Sequence, residues 1–336
     1  MDTFGNIYRL TDWGDTHGDA LEGLIEGCPA EARVDMDFVN AELNRRAPSG
    51  DALSTKRRET DRVEFLSGIA DGVTTGEPIR FRIPNVDVKV SEANRHVLKP
   101  SHASYTYMRK YGVTDNEQCG RASARQTVCR VVAGAIAKLW LQDRGVRITS
   151  KVVSMATPAR EGDSVGALVE GRIGGLPAGL GEPVYDKFSA RLAYAMLSIN
   201  AAKGFEYGMG FQAAEMSGSE YHDVQNPDFS FRTNHDGGIQ GGITNGEEVY
   251  FRVAFKPIPS VRYDRGTIDF EGNKSIMRGS DRNDLCVVPR VLPVVEAMAA
   301  MVVMDFWLMQ NVESPIHRHS SLFIVIFRCR IFQKCC

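Results

Sequence analysis

Residues Cys119–Asp143, CGRASARQTVCRVVAGAIAKLWLQD, carry a Gly-Arg loop straight into an apolar-patterned segment. Val128, Val131, Val132, Ala135, Ile136 and Leu139 fall at helical spacing and predict a helix with one buried face. Ser123 is placed to cap that helix, and Arg121 and Arg125 crowd the same end, where the helix dipole repels cations. An anion would offset them. Backbone N–H groups, a hydroxyl and two guanidinium forks converging on one point describe a phosphate or carboxylate site. Taken alone, the loop reads equally well as a capped surface helix with solvated arginines, so the ligand reading needs support from other segments.

The chain has 336 residues, 43% of them hydrophobic, enough for one large domain or two. Forty basic residues against 42 acidic ones give a net charge of −2. Such a balance does not gather nucleic acid or an anionic membrane, so local basic clusters serve small anions. The N-terminal stretch MDTFGNIYRLTDWGD has no apolar signal core, and the longest apolar stretch, Val291–Met309, carries Glu296 and Asp305. Seven cysteines show no CxxC or Cys/His ligand spacing. These features predict a cytoplasmic protein with reduced thiols and no structural metal.

Along the chain, Asn6–Leu10 reads as a strand, and Gly14-Asp-Thr-His-Gly18 sets His17 between glycines that let a ligand approach. Val34, Phe38 and Leu43 predict a helix that leads into a stretch with five arginines between 45 and 62. That stretch is either a solvated face or a basic arm over an anion, since Pro48, Ser49 and Gly50 interrupt it. Residues 63–98 read as framework strands and turns, with Phe81 and Ile83 alternating. Lys99–Tyr107 reads as a second histidine loop. Arg147–Val153 is an expected strand, Gly166–Ala178 a strand pair, and Tyr185–Met196 a helix followed by a polar stop at Ser198–Gly204. Five glycines among His235–Gly246 read alone as a series of turns, and beside alternating Val249, Phe251 and Val253 and then Lys256–Ser260 as backbone close to a flat or phosphorylated ligand. A segment apolar nearly all round, Val291–Met309, predicts a buried helix whose true start follows Pro293 or kinks there. Residues 1–312 are read as one catalytic domain, and 313–336 as a tail of different character.

Two loop histidines, arginine-bearing segments and glycine-rich backbone suit a phosphorylated, carboxylated substrate that loses an anion. A protonated histidine can neutralise a leaving phosphate while arginines hold carboxylates. Composition and spacing reach a phosphate-handling enzyme and stop there.

Longer motifs carry the reading further. Gly14–Gly18 with Glu26-Gly27 and Pro29, Gly120-Arg-Ala-Ser-Ala-Arg125, and Arg282-Asn-Asp-Leu-Cys286 through Glu296-Ala-Met298 resemble the three signatures of the chorismate synthase family, with likeness from about residue 4 to residue 310. The resemblance implies an α+β fold, a β-α-β sandwich in one large domain, assembled as a homotetramer. It implies a lyase that converts 5-enolpyruvylshikimate-3-phosphate to chorismate and phosphate by anti-1,4-elimination, the last step of the shikimate pathway, with reduced FMN as cofactor. By similarity His17 protonates the departing phosphate, His102 stands by the flavin and Asp284 assists proton removal. FMN would be cradled by Arg121, Ala122, Ser123, Asn200, Ala201, Gly241, Lys256, Pro257, Ile258, Pro259, Ser260 and Arg282. Arg45, Arg46, Arg125 and Arg130 would grip substrate anions, or NADPH where the enzyme reduces its own flavin instead of using a separate flavin reductase. The chain departs from the family pattern at Ala52, Lys99, Ser101, Asn283 and Leu285, in a short connection around Ala156–Asp163, and after Asn311. Those departures motivate a rival reading, a degenerate relative that binds a phospho-ligand without turnover.

Overall fold

Two antiparallel sheets face each other across a layer of helices in the computed structural model, which describes residues 2–48, 61–86, 92–280, 284–288 and 290–318. The expected basic arm from Ser49 to Thr60, Ala52 within it, Arg282, Asn283 and the tail from His319 onward lie outside the described residues.

The first sheet runs Thr3–Phe4, Arg9–Gly14, Ala20–Glu26, Ile79–Pro84, Glu64–Phe65 in spatial order. The second runs Ala202–Tyr207, Val249–Phe255, Ala167–Gly174, Arg147–Met155. Alternation decides which face each strand buries: Ile79, Phe81 and Ile83 are fully buried, as are Val249, Phe251 and Val253. Helix α1 (Met36–Arg46) begins at Asp35, whose carboxylate accepts from the Asp37 and Phe38 N–H groups. Helix α3 (Thr127–Gln142) lies under the first sheet, and α6 (Leu292–Arg318) lies against the second. α2 (Ser104–Tyr111), α4 (Phe188–Leu197) and a single turn, α5 (Gly218–Tyr221), complete the helices. The β-α-β sandwich expected from the resemblance is the architecture found.

α3 and α6 pack closely enough to exclude a side chain between them. A Cβ placed on Gly134 would fall 2.2 Å from that of Ala297. From Val294 to Met304 no residue of α6 is more than 3% exposed, which accounts for its all-round apolar sequence. The stretch Leu292–Gln310 is long and apolar enough to cross a membrane, but here 78% of it is buried within the protein as a core helix. Pro293 sits in its first turn, where a missing N–H costs nothing.

The two halves repeat one design. Asp71-Gly-Val-Thr-Thr-Gly-Glu-Pro-Ile-Arg-Phe-Arg-Ile83 aligns with Gly241-Gly-Ile-Thr-Asn-Gly-Glu-Glu-Val-Tyr-Phe-Arg-Val253. Thr74 Oγ1 donates to the Pro29 carbonyl at 2.6 Å, and Thr244 Oγ1 to the Pro177 carbonyl at 2.8 Å. Gly23 lies beneath the Phe81 ring and Gly171 beneath the Phe251 ring. The hairpin turn needs positive φ at its first position, +50° at Asp71 and +61° at Gly241. Gly241 thus has a structural reason to be glycine that does not involve a ligand.

Several local expectations shift. The Asn6–Leu10 strand forms instead at Arg9–Gly14, and the strand pair expected at Gly166–Ala178 is one strand. The second half of the Lys99–Tyr107 loop is instead the start of a helix, Ser104–Tyr111, which ends on Gly112 in the left-handed region.

Gly134→Ala would add about 1 kcal/mol to an exposed helix. Here overpacking against Ala297 should reverse the sign and remove about 1–3 kcal/mol net. Urea unfolding of the variant beside the parent measures this directly, and a stabilised variant would contradict the tight α3–α6 contact.

Candidate active site

Ser123 begins the cap of α3. Its Oγ accepts from the Arg125 N–H at 3.2 Å and starts a short 3-10 turn, Ala124–Gln126, which passes into α3 at Thr127. This end of the helix opens onto a cavity of about 310 Å³. The cavity gathers segments far apart in sequence: Ser101–Ala103, Ala122–Ala124, Ile199–Ala201, Lys256 with Ile258–Ser260, and Asp284 with Val287, Arg290, Val291 and Val294, beside Arg46 and Thr127. Of the expected site residues it brings together Arg46, His102, Ala122, Ser123, Asn200, Ala201, Lys256, Ile258, Pro259, Ser260 and Asp284.

One wall is apolar, from Ile258, Pro259, Val287, Val291 and Val294. The facing groups are polar, so the cavity suits a flat ring with an anionic extension. Asn200 Nδ2 donates to the Ala122 carbonyl at 3.1 Å, fixing the two segments together. Lys256 Nζ donates to the Ser101 carbonyl. Both Ser101 and Ala201 hold left-handed backbone, at φ +58° and +69°, and both line the cavity. Side chains other than glycine lose about 1–2 kcal/mol in that region, so the fold concentrates strain at this site.

His102 is the cavity's imidazole. Its Nδ1 is buried and has no hydrogen-bond partner among the described residues. Burial, reinforced by Lys99 and Lys256, pushes its pKa down from 6.5 to about 4. A buried polar atom without a partner marks a place that a ligand would complete.

The arginines separate into distinct roles. Arg45 and Arg46 are neighbours on α1, and the turn of the helix sends them to opposite sides. Arg46 turns to the cavity and to Asp61 Oδ2 at 2.9 Å, with further donation to the Ala124 carbonyl at 3.2 Å. Arg45 turns away to Glu296, 2.7 and 2.8 Å, and to Glu42 at 2.7 Å. These bonds to Glu296, against the burial, hold the Arg45 pKa above its ordinary value. Lys138 joins the same cluster through the buried Glu42 and Glu296, so two cations meet two carboxylates and the exposed Arg45 is spent on structure. Arg121 bonds Asp2 and Asp12, each at 2.7 Å, on a smaller neighbouring pocket that Arg130 also lines. Arg130 donates to the carbonyl and the hydroxyl of Ser198, both at 3.0 Å. Arg121, Arg130 and Arg45 therefore do not line the cavity, and neither do Gly241 or Pro257.

Arg125 is buried and pairs with Asp61 Oδ1, while its Nε donates to Asn85 Oδ1 at 3.0 Å. Asn85 Nδ2 in turn donates to the carbonyls of Asp15 and Gly18, at 3.0 and 2.7 Å. The His17 loop is thereby attached to Arg125 and Arg46. His17 itself is half-buried, with its backbone N–H donating to Asp15 Oδ1 at 2.7 Å, and does not line the cavity. Asp61, Thr127 and Arg290 belong to this arrangement and escaped the sequence reading. A signal for Arg290 existed, a lone cation six residues after Asp284 at the start of the apolar helix.

The sequence model of the chorismate synthase family matches residues 8–161 and 154–308. Curated chorismate synthases from Phocaeicola vulgatus and Christiangramia forsetii are 43% and 45% identical to the chain. The alignments cover 93% and 94% of this chain and 99% of each relative. A crystal structure described as chorismate synthase superposes with a TM-score of 0.72 at 28% identity, covering 91% of this chain and 93% of that one. The two family matches meet at the turn after Arg147–Met155, and the alignments span 354 and 353 positions against 336 residues here. The relatives therefore carry residues that this chain lacks, and the short connection around Ala156–Asp163 is where the matches break. With both sheets, the helix layer and nearly the whole length shared, the chain belongs to the chorismate synthase family.

Proposed function

We propose that this chain converts 5-enolpyruvylshikimate-3-phosphate to chorismate and phosphate in the cavity that His102, Asp284, Lys256 and Arg46 line. The observation that carries the reading is His102 Nδ1, a buried polar atom without a partner among the described residues, in a cavity that Lys256, Arg46 and several apolar side chains line. The family uses reduced flavin, and the residues present fit one. Ala122, Ser123, Asn200, Ala201 and Ile258–Ser260 would hold FMN, with Lys256 near its charge; Arg282 is the further family position. Reduced FMN, when bound, would supply electron density that eases cleavage of the allylic C–O bond and recover it, leaving no net redox change.

The chain's own groups perform the remaining work. Arg46 offers a fixed guanidinium to the substrate's anions, and Arg125 and Asp61 hold it in place. His17 does not line the cavity; it stands on the loop attached to that arginine pair, and family resemblance alone gives it the role of donating a proton to the departing phosphate oxygen. Asp284 is the carboxylate of the cavity wall and takes part in moving the proton lost from C6. His102 is neutral at pH 7 in the free chain, and an anion arriving beside Nδ1 draws a proton onto the ring. The bond from carbon to phosphate oxygen breaks, a proton leaves, and the products are chorismate and phosphate.

NADPH as reductant or a separate flavin reductase, the homotetramer and a cytoplasmic location complete the proposal. Reduced Cys28, Cys119, Cys129 and Cys286, all buried, support the last. The outward face of Arg147–Met155, at the free edge of its sheet with Val152, Val153 and Met155 exposed, supports association between copies. A relative without turnover is the less favoured reading, because the relatives compared bear the enzyme's name.

Anaerobic incubation with substrate and dithionite-reduced FMN should yield chorismate absorbance and phosphate in equal amounts. Flavin binding without product would instead support the non-catalytic reading. His17→Ala should lower turnover ~10²-fold or more while the chain stays folded; unchanged turnover would remove His17 from its role. His102 also makes a stability prediction. Its folded pKa of about 4 lies below the ordinary 6.5, so the unfolded chain binds the proton first and stability is lost as pH falls from 6.5 to 4. Urea unfolding across that window should show a shallower loss for His102→Asn than for the parent.

A further inference from the structure

We propose that Arg290 is a positioning residue for Asp284, holding its carboxylate in the orientation that proton transfer requires, and that a lysine cannot take its place. The inference rests on the function proposed above. Arg290 lines the cavity, and its guanidinium works in two directions. Nη1 donates to Asp284 Oδ2 at 2.7 Å, and Nε donates to the carbonyl of Arg46 at 3.0 Å. That carbonyl belongs to the last turn of α1, where helical carbonyls lack an intrahelical partner and the dipole favours a cation. The contact therefore anchors the fork to a rigid element, and the fork anchors Asp284. Through Arg46, whose side chain bonds Asp61, the connection continues to Arg125, Asn85 and the His17 loop.

The other half of the molecule offers a comparison. Arg130, near the start of α3, donates to the Ser198 carbonyl at the end of α4, as Arg290 before α6 donates to the end of α1. Arg130 combines this with a serine hydroxyl, whereas Arg290 combines it with a carboxylate on the cavity wall. A helix-end contact is common to both halves. The grip on an acid at the cavity distinguishes Arg290.

Electrostatics gives the pairing a second purpose. A carboxylate facing a multiply charged substrate repels it, and Arg290 sets a positive charge at contact distance from Asp284 that weakens this repulsion. A lysine would keep the positive charge but has one ammonium, which cannot serve the carbonyl and the carboxylate in fixed directions as the planar fork does. Charge supports binding, and the fork supports orientation. The two are separable by substitution.

The test is a double-mutant cycle of Arg290→Lys and Asp284→Asn, assayed anaerobically with reduced FMN and paired with calorimetric titration of 5-enolpyruvylshikimate-3-phosphate. Arg290→Lys should lower kcat ~10–100-fold with KM and calorimetric affinity within about threefold of the parent. Combined with Asp284→Asn it should add little further loss, because Arg290 acts through that carboxylate. Wild-type kcat in Arg290→Lys overturns the proposal, as do independent, multiplying losses in the double variant. A lowered melting temperature with kcat unchanged would reduce Arg290 to a helix-end contact and likewise overturn it. Should Arg290→Lys fail to fold, Arg290→Gln runs in the same cycle with the same expectations for kcat and non-additivity. A parent chain that makes no chorismate would overturn the functional reading first, and this inference with it.

Discussion

Asp61, with 1% of its side chain exposed, takes a guanidinium on each carboxylate oxygen, Arg46 on one side and Arg125 on the other. Burial alone would favour its neutral form, yet the two cations outweigh that penalty and hold its pKa below the ordinary carboxylate value. Removing one member of such a buried group strands the others without compensation, at a cost of roughly 3–5 kcal/mol. The arrangement sets both guanidinium groups on one carboxylate, with Arg46 also lining the cavity. From it the helix α1, the start of α3 and the loop of His17 take their relative positions, and the neighbouring Arg290–Asp284 pair is referred to the same helix end.

A second charged group balances the first across α1. Glu42, Lys138 and Glu296, all buried, and the exposed Arg45 form a cluster that joins α1, α3 and α6 on the side away from the cavity. Despite its burial Glu296 stays below the ordinary carboxylate pKa, because Arg45 and Lys138 surround it. α1 is thus fixed on both sides by ion pairs, while α3 and α6 are fixed by close apolar contact at Gly134 and Ala297. Orientation comes from charge, and cohesion comes from burial.

What the sequence revealed depended on whether the signal was local. The α3 and α6 helices, the alternation in Ile79–Pro84 and Val249–Phe255, and the segments that line the cavity were all legible, because each is a short-range pattern or motif. The ligand reading of the Gly-Arg loop was legible only in part. Ser123 lines the cavity, whereas Arg121 is taken by Asp2 and Asp12, carboxylates more than a hundred positions away that no local window contains. The helix at Ser104–Tyr111 was missed because it is largely exposed and shows no apolar period, although Gly112 marked its end. The glycines of His235–Gly246 were read as an approach to ligand, and the hairpin geometry shared with Asp71–Ile83 explains Gly241 and its neighbours instead. That repeat stood in the sequence throughout, but its copies lie far enough apart to be read separately.

Ser101, in left-handed backbone just before the cavity histidine, bears on any attempt to engineer the protein for heat tolerance. Glycine would suit that backbone, and the exchange relaxes local strain at a position that faces solvent. The family pattern has glycine where this chain has Ser101, so Ser101→Gly is an exchange toward heat tolerance that alters no side chain of the cavity beyond a single hydroxymethyl group.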